Sequence, residues 1–126
     1  RKELIERQQS SAVETETGDG APDTPIRITG QDHFEEVTSS YDVVLVDCYA
    51  DWCGPCQMME PTIEALAAES DATVAKVDID SNQVLTQQLG VQGVPTLVVF
   101  SDGTPVERVV GAQDRNSLER LIQQAS

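Results

Sequence analysis

The apolar run Val43–Tyr49 is the feature that most constrains how this chain folds. The run is almost continuous and rich in β-branched side chains, which predicts a central strand covered on both faces. Residues 53–70 follow it and carry Met59 and Ile63 at helical spacing, so they predict a long helix with these side chains on its inner face. A buried strand leading into a long helix indicates an α/β architecture.

The rest of the chain repeats this alternation. Further strands are predicted at residues 26–29, 73–79, 96–100 and 105–110, and further helices at residues 31–39, 82–89 and 115–124. Gly90 is placed to end a helix, and Ser101-Asp102-Gly103 is typical of a hairpin turn. Strands that alternate with helices and end in a hairpin predict an α/β sandwich with a mixed sheet.

Residues 1–25 differ from the rest of the chain. Residues 1–12 are compatible with a short helix, whereas residues 13–25 hold Gly, Pro, Asp and Thr without periodicity and predict a flexible linker. We therefore divide the 126 residues into an acidic extension, residues 1–25, with no assigned function, and one domain, residues 26–126.

The chain is strongly acidic, with 22 Asp and Glu against 8 Lys and Arg and a net charge of −14. Such a polyanion repels phosphate and anionic lipid, so we expect neither a nucleic acid nor a membrane as partner. No apolar run approaches the length of a membrane span. Two explanations of the acidity stay open: an ordinary acidic protein, or one adapted to high salt, where cations screen the repulsion.

The number of cysteines gives an indication of the cellular compartment. Three cysteines in a chain of this length do not form a disulfide scaffold. The chain shows no basic segment followed by an apolar one, as a secretory signal would. We therefore expect a cytoplasmic protein.

The segment Trp52-Cys53-Gly54-Pro55-Cys56 carries the strongest chemical signal, because two thiols at this spacing can close a small disulfide ring. A helix is predicted to begin at about Cys53, and its unpaired N–H groups and dipole stabilise a thiolate there. We expect Cys53 to be an exposed nucleophile of low pKa and Cys56 to be covered, one turn inside. Pro55 suits the first helical turn because its missing N–H needs no partner.

The same spacing also occurs in half of a metal site. A tetrahedral zinc site needs two more ligands, and the other soft candidates, Cys48 and His33, do not form a second pair. Redox chemistry without a metal is therefore the favoured interpretation.

Asp47 is unusual because it interrupts a strand predicted to be buried. A buried carboxylate is costly unless it is paired or used, and burial raises its pKa towards the range of a proton acceptor. Lys76, in a neighbouring predicted strand, is the candidate partner. The alternative is a structural Asp bonded to backbone. Pro95, in Gly93-Val94-Pro95-Thr96, is also explained simply as a proline at the start of a strand.

From about residue 26 to residue 125 the chain resembles the thioredoxin family. The matching pieces are Val46-Asp47, Ala50-Asp51-Trp52-Cys53-Gly54-Pro55-Cys56, Pro61, Lys76-Val77-Asp78-Ile79-Asp80, Val94-Pro95-Thr96, Asp102-Gly103 and Val110-Gly111. The resemblance implies the thioredoxin fold, a central mixed β-sheet flanked by helices on both faces. It also implies that Pro95 is cis and packs against the disulfide, and that Pro61 kinks the long helix.

The resemblance further implies reduction of protein disulfides through Cys53 and Cys56, with Asp47 and Lys76 assisting. The implied substrate groove is formed by Trp52, Gly54, Pro55, Val94, Pro95 and Gly111, where the backbone of Val94 pairs with an extended segment of the substrate. The implied partners are a thioredoxin reductase and disulfide-containing proteins. No cofactor is expected beyond the Cys53–Cys56 disulfide, and we expect a monomer.

Some residues depart from the family pattern. Cys48 and Tyr49 stand where Phe and Trp are common. Cys48 falls on the face opposite Asp47 and is predicted to be a small core residue, with a regulatory thiol as the alternative. Two other functions stay open: a scaffold module whose dithiol is incidental, and an oxidase or isomerase, which Pro55 disfavours.

Overall fold

The computed structural model of the chain describes residues 22–126. The predicted helix at residues 1–12 lies outside the described residues, as does the linker up to residue 21. The division at residue 25 therefore stays a prediction.

Every predicted element of residues 26–126 is present, and each predicted end lies within two residues of the observed one. The strands are β1 (Ile26–Arg27), β2 (Val43–Tyr49), β3 (Thr73–Asp78), β4 (Thr96–Ser101) and β5 (Thr104–Val110). The helices are α1 (Gln31–Ser40), α2 (Gly54–Glu69), α3 (Gln83–Gln88) and α4 (Arg115–Ala125). None of the described helices is long and apolar enough to cross a membrane.

The strands form one mixed sheet in the order β1-β3-β2-β4-β5. β3 pairs in parallel with β1 and β2, whereas β4 pairs antiparallel with β2 and β5. Helices connect the parallel strands, and the hairpin at Asp102 and Gly103 joins the last two. Both hairpin residues have positive φ, 51° and 83°, which fits a two-residue turn between twisted strands.

Helices cover both faces of the sheet, and β2 shows how the two layers divide. Its even-numbered residues belong to an apolar cluster with α1 and α3, here called the α1/α3 face. Its odd-numbered residues lie on the opposite side, where α2 and α4 pack, here called the α2/α4 face. The main members of the first cluster are Phe34, Val37, Val44, Val46, Cys48, Ala75, Val77, Leu85, Val98 and Phe100. Those of the second are Leu45, Met59, Ile63, Leu66, Val74, Leu97, Val99, Leu118 and Ile122.

Local signals end and start the helices as predicted. Gly90 has a φ of 70° after α3 and donates to Gln87 O at 3.1 Å, while Val91 N donates to Thr86 O at 3.1 Å. This is the pattern of a Schellman cap. At the start of α4, Asp114 accepts a hydrogen bond from the backbone N–H of Ser117 at 2.8 Å.

Candidate active site

The two motif cysteines lie where the chain leaves β2 and enters α2. Cys53 is the N-cap residue of α2 with extended dihedrals, and Pro55 occupies the first helical turn. The Cys53 Sγ accepts a hydrogen bond from the Cys56 backbone N–H at 3.2 Å. The sequence folds this way because proline fits the first turn and the N-cap sulfur gives an otherwise unpaired N–H a partner.

Cys53 and Cys56 form a disulfide, with their Cα atoms 5.3 Å apart. Each residue is only 4% exposed, so the expected exposure of Cys53 is wrong for this oxidised form. The reason is that the Cys53 sulfur turns back over the helix N-terminus. It packs there in a small apolar cluster with Tyr49 and Ala50.

The residues of the implied groove surround this disulfide. Trp52 is 68% exposed and its indole N–H donates to Asp80 Oδ2 at 2.9 Å, while Gly54 and Pro55 are exposed at the start of α2. Val94 is partly buried and packs against the cysteine cluster. Exposed and partly buried apolar side chains therefore lie next to the disulfide.

The other two residues of the implied groove, Pro95 and Gly111, lie just before β4 and just after β5. The Val94–Pro95 peptide bond is cis, as the resemblance implies, and Pro95 is buried. Gly111, with a φ of 97°, donates its N–H to Pro95 O at 2.8 Å. This bond ties the end of β5 to the cis-proline loop, and the positive φ explains why a glycine stands there.

Asp47 lies under the start of α2 on the α2/α4 face. Its neighbours on that side of β2 are Leu45, which shares a cluster with Met59, and Tyr49, which shares a cluster with Cys56. Asp47 is 3% exposed, and this burial raises its pKa from the usual 3.8 to about 6. The charge of Lys76 opposes the rise and that of Glu60 adds to it.

Lys76 is the register neighbour of Asp47 across β2 and β3, but it does not pair with it. Its ammonium forms a salt bridge with Glu60 of α2 and lies 4.4 Å from the centroid of the Tyr49 ring. The predicted partnership of Lys76 with Asp47 is therefore corrected to a longer-range interaction of charges. The reason is that α2 packs on this face of the sheet and places the Glu60 carboxylate next to the Lys76 ammonium.

Two residues of the site were missed from the sequence. Glu60 follows Cys56 by four residues, so helical spacing puts both on one side of α2 and was the available signal. Asp80, which accepts from Trp52, comes just after β3 and had no comparable signal. Within residues 22–126 no group of three or more His, Cys, Asp or Glu side chains is arranged to hold a metal ion.

Cys48 is fully buried on the α1/α3 face, opposite Asp47, as predicted. Burial raises the pKa of its thiol to about 12, the Asp47 charge adds to the rise and Arg108 opposes it. A thiol in this state is not a nucleophile near neutral pH, which disfavours a regulatory role.

Comparison with known proteins agrees with this geometry. The family model described as Thioredoxin matches residues 24–124, which is most of the chain. The chain belongs to the thioredoxin family. Among curated proteins it is 48% identical over 98 residues to a thioredoxin of Chlamydia muridarum, covering 77% of this chain and 95% of that one. It is 42% identical over 106 residues to a thioredoxin of Mycobacterium tuberculosis, covering 82% and 91%.

A solved structure of the family extends this agreement to the fold. A thioredoxin from Halobacterium salinarum NRC-1, solved as a point mutant, superposes with a TM-score of 0.82 at 56% identity, covering 86% of this chain and 96% of that one. The predicted fold, a mixed sheet with helices on both faces, is confirmed. With the Cys53–Cys56 pair intact, family membership also identifies the protein as a thiol–disulfide oxidoreductase, a thioredoxin-type disulfide reductase.

Family membership also implies the class of partners, a reductase and disulfide-containing substrates. One relative, from Mycobacterium leprae, is named a bifunctional thioredoxin reductase/thioredoxin and is 42% identical over 97 residues. These residues are 75% of this chain and 21% of that protein.

Proposed function

We propose that Cys53 attacks substrate disulfides, that Cys56 resolves the mixed disulfide, and that Asp47 takes up the proton of Cys56. The observation that carries this proposal is a disulfide at the N-terminus of α2 together with a buried carboxylate, Asp47, on the face of β2 that α2 covers. Electrons come from a thioredoxin reductase, and the exchange needs no cofactor beyond the dithiol itself.

In the first step the Cys53 thiolate attacks one sulfur of the substrate. The Cys53–substrate bond forms as the substrate S–S bond breaks, and the departing thiolate takes a proton from water. The Cys56 N–H, which bonds the Cys53 sulfur in the oxidised protein, is placed to stabilise the thiolate together with the helix dipole.

In the second step Cys56 loses its proton to Asp47, through a water molecule. The Cys56 thiolate attacks the Cys53 sulfur and forms the disulfide of the protein as the Cys53–substrate bond breaks. The reduced substrate leaves as a thiolate, which takes a proton from water. Burial raises the pKa of Asp47 to about 6, so at pH 7 most of it is ionised and ready to accept a proton.

Substrate binding is proposed at Trp52, Gly54, Pro55, Val94, Pro95 and Gly111. β4 begins only at Thr96, so the backbone of Val94 lies before the strand and beside the disulfide. An extended substrate segment fits there by strand addition.

For its surroundings we propose the cytoplasm, where a reduced pool keeps the dithiol supplied with electrons. A monomer without nucleic-acid or membrane partners accords with the net charge of −14.

Adaptation to high salt is proposed on the same charge, and on similarity to a thioredoxin of Halobacterium salinarum. Screening of carboxylates by cations should raise the melting temperature between dilute buffer and molar KCl. A melting temperature that stays flat or drops would remove this proposal.

The mechanism is tested by separating its two steps. Cys56→Ser should accumulate a mixed disulfide with substrate, whereas Cys53→Ser should form none, and rapid turnover by Cys56→Ser would contradict the assigned roles. Asp47→Asn should slow release from the mixed disulfide and leave its formation largely intact. Equal slowing of both steps would make Asp47 structural.

Two further measurements separate the alternative functions. Insulin reduction by the unaltered protein but not by Cys53→Ser distinguishes a reductase from a scaffold module. A redox titration against glutathione separates a reductase from an oxidase or isomerase, which would show a much higher potential.

A further inference from the structure

We infer that Glu60 is a positioning residue, which shares the Lys76 ammonium with Asp47 and so keeps Asp47 able to carry a proton during exchange. This inference rests on the proposed role of Asp47. Glu60 itself touches neither the disulfide nor the substrate groove in this structure.

The geometry fixes the ammonium of Lys76 on the side of Glu60. Lys76 lies opposite Asp47 in the parallel register of β2 and β3, yet its salt bridge is with Glu60 of α2. The Lys76 side chain is 14% exposed, and its ammonium nitrogen lies 4.4 Å from the centroid of the Tyr49 ring. A cation that is shielded from water and bounded by an aromatic ring has few other positions to adopt.

The charges acting on Asp47 are few. Lys76 of β3 favours the ionised carboxyl, whereas Glu60 of α2 opposes it. From β4 the register neighbour is Leu97, which carries no charge, and Cys56 of α2 is held in the disulfide.

The other elements packed nearby bring no further charge to Asp47. The buried side chains that α4 contributes to this face are Leu118 and Ile122, which are apolar. Arg27 of β1 donates to the Tyr49 hydroxyl at 3.3 Å, so its charge influences Tyr49 instead of Asp47. Burial is the main cause of the high proton affinity of Asp47, and the charges that adjust it further are the Lys76 ammonium and the Glu60 carboxylate that shares this cation.

The way in which Glu60 and Asp47 share the charge of Lys76 affects the proposed reaction. A group that accepts a proton from Cys56 and later returns it works best when its pKa is near the working pH. An undivided ammonium beside Asp47 would stabilise its anion further and make it a weaker acceptor. Glu60 limits that effect from one turn beyond Cys56.

The test compares Glu60→Gln with Glu64→Gln. Glu64 is exposed one turn further along α2, so its loss removes the same charge without disturbing Lys76. The carboxyl of Asp47 is titrated by carbon-13 NMR in the oxidised protein, in which Cys56 is held in the disulfide and does not titrate. We expect its midpoint to fall by about one pH unit in Glu60→Gln and to stay in place in Glu64→Gln. An unmoved midpoint in Glu60→Gln, or equal falls in both variants, would overturn the inference.

A second background tests the route through Lys76. In Lys76→Gln the shared cation is absent, so adding Glu60→Gln should lower the midpoint of Asp47 by clearly less than in the unaltered protein. Equal shifts in the two backgrounds would show that Glu60 acts directly on Asp47, and the assigned route would be wrong.

The rate of release from the mixed disulfide, followed against pH, separates this inference from the mechanism on which it rests. The rate profile should move to lower pH in Glu60→Gln by the same amount as the titration of Asp47. If the titration moves and the rate profile does not, the proposed role of Asp47 fails, and with it the importance of Glu60 for exchange. If neither the titration nor the rate profile moves, the inference about Glu60 fails and the proposed role of Asp47 is unaffected.

Discussion

Both faces of β2 are largely buried, but they carry side chains of different chemistry. Towards α1 and α3 the strand presents Val44, Val46 and Cys48, all with essentially no exposure. Towards α2 and α4 it presents Asp47, which is 3% exposed and carries a carboxyl group. One face therefore contributes burial of apolar surface only, whereas the other accepts an unfavourable group at the place where the disulfide lies.

The cost of that carboxyl follows from its pKa, which burial raises from 3.8 to about 6. The folded chain holds the proton more tightly than the unfolded chain, so stability falls as the pH rises from about 4 to about 6. Above that range the loss is about 3 kcal/mol. The fold therefore retains a destabilising group on the face of β2 that is covered by α2, the helix that begins at the dithiol.

The largest effect is expected when a carboxylate is moved to the α1/α3 face. Val46→Asp should lower the free energy of unfolding by more than about 4 kcal/mol, because that cluster offers only apolar contacts. Urea unfolding measures this, with Val46→Ala, at about 2 kcal/mol, as the control for lost volume. A cost for Val46→Asp no greater than that of the control would show that the α1/α3 face accepts a buried carboxyl as readily as the α2/α4 face does.

Removal of the carboxyl at Asp47 should have the next largest effect, with the opposite sign. Asp47→Asn should raise the free energy of unfolding at pH 8 by about 3 kcal/mol and change it little at pH 4, where the folded protein already holds the proton. Urea unfolding at the two pH values measures the difference. The exposed Asp71 provides the control Asp71→Asn, and the same gain at both pH values would contradict the explanation.

A smaller effect is expected at Cys48. Cys48→Ala should cost about 1–2 kcal/mol through lost packing and leave insulin reduction unchanged, because Cys48 serves the core only. In the reduced protein at pH 7, iodoacetamide should modify Cys53 and spare Cys48, whose pKa burial raises to about 12. Mass spectrometry locates the label, and modification of Cys48 in the folded protein would count against the assignment.

The smallest effect concerns Thr73, at the start of β3. Its hydroxyl oxygen is buried and has no hydrogen-bond partner among the residues that the structure describes. Thr73→Val should raise the free energy of unfolding by about 1 kcal/mol, because it removes an unsatisfied polar atom. Thermal unfolding measures the gain, and Thr38→Val, which loses the bond to Phe34 O at 3.0 Å, should lose stability instead.

Much of the fold could be predicted because its signals are local. The hairpin turn at Asp102 and Gly103, the cap at Gly90 and the apolar run of β2 depend on dihedral preferences and periodicity within a few residues. The strand order and the position of Asp80 beside Trp52 depend on contacts across the chain, for which these patterns carry no signal.

The features of the candidate site also separate into those that local sequence predicts and those that depend on tertiary contacts. The sequence by itself determined that a dithiol stands at a helix N-terminus and that a carboxyl is buried in the preceding strand, since spacing and local hydrophobicity suffice for both. Only the tertiary structure decided that Cys53 is covered in the disulfide form and that Lys76 pairs with Glu60 instead of Asp47. The physical reason is that the partner of a charged side chain is chosen by the elements packed around it, here a helix laid over a sheet.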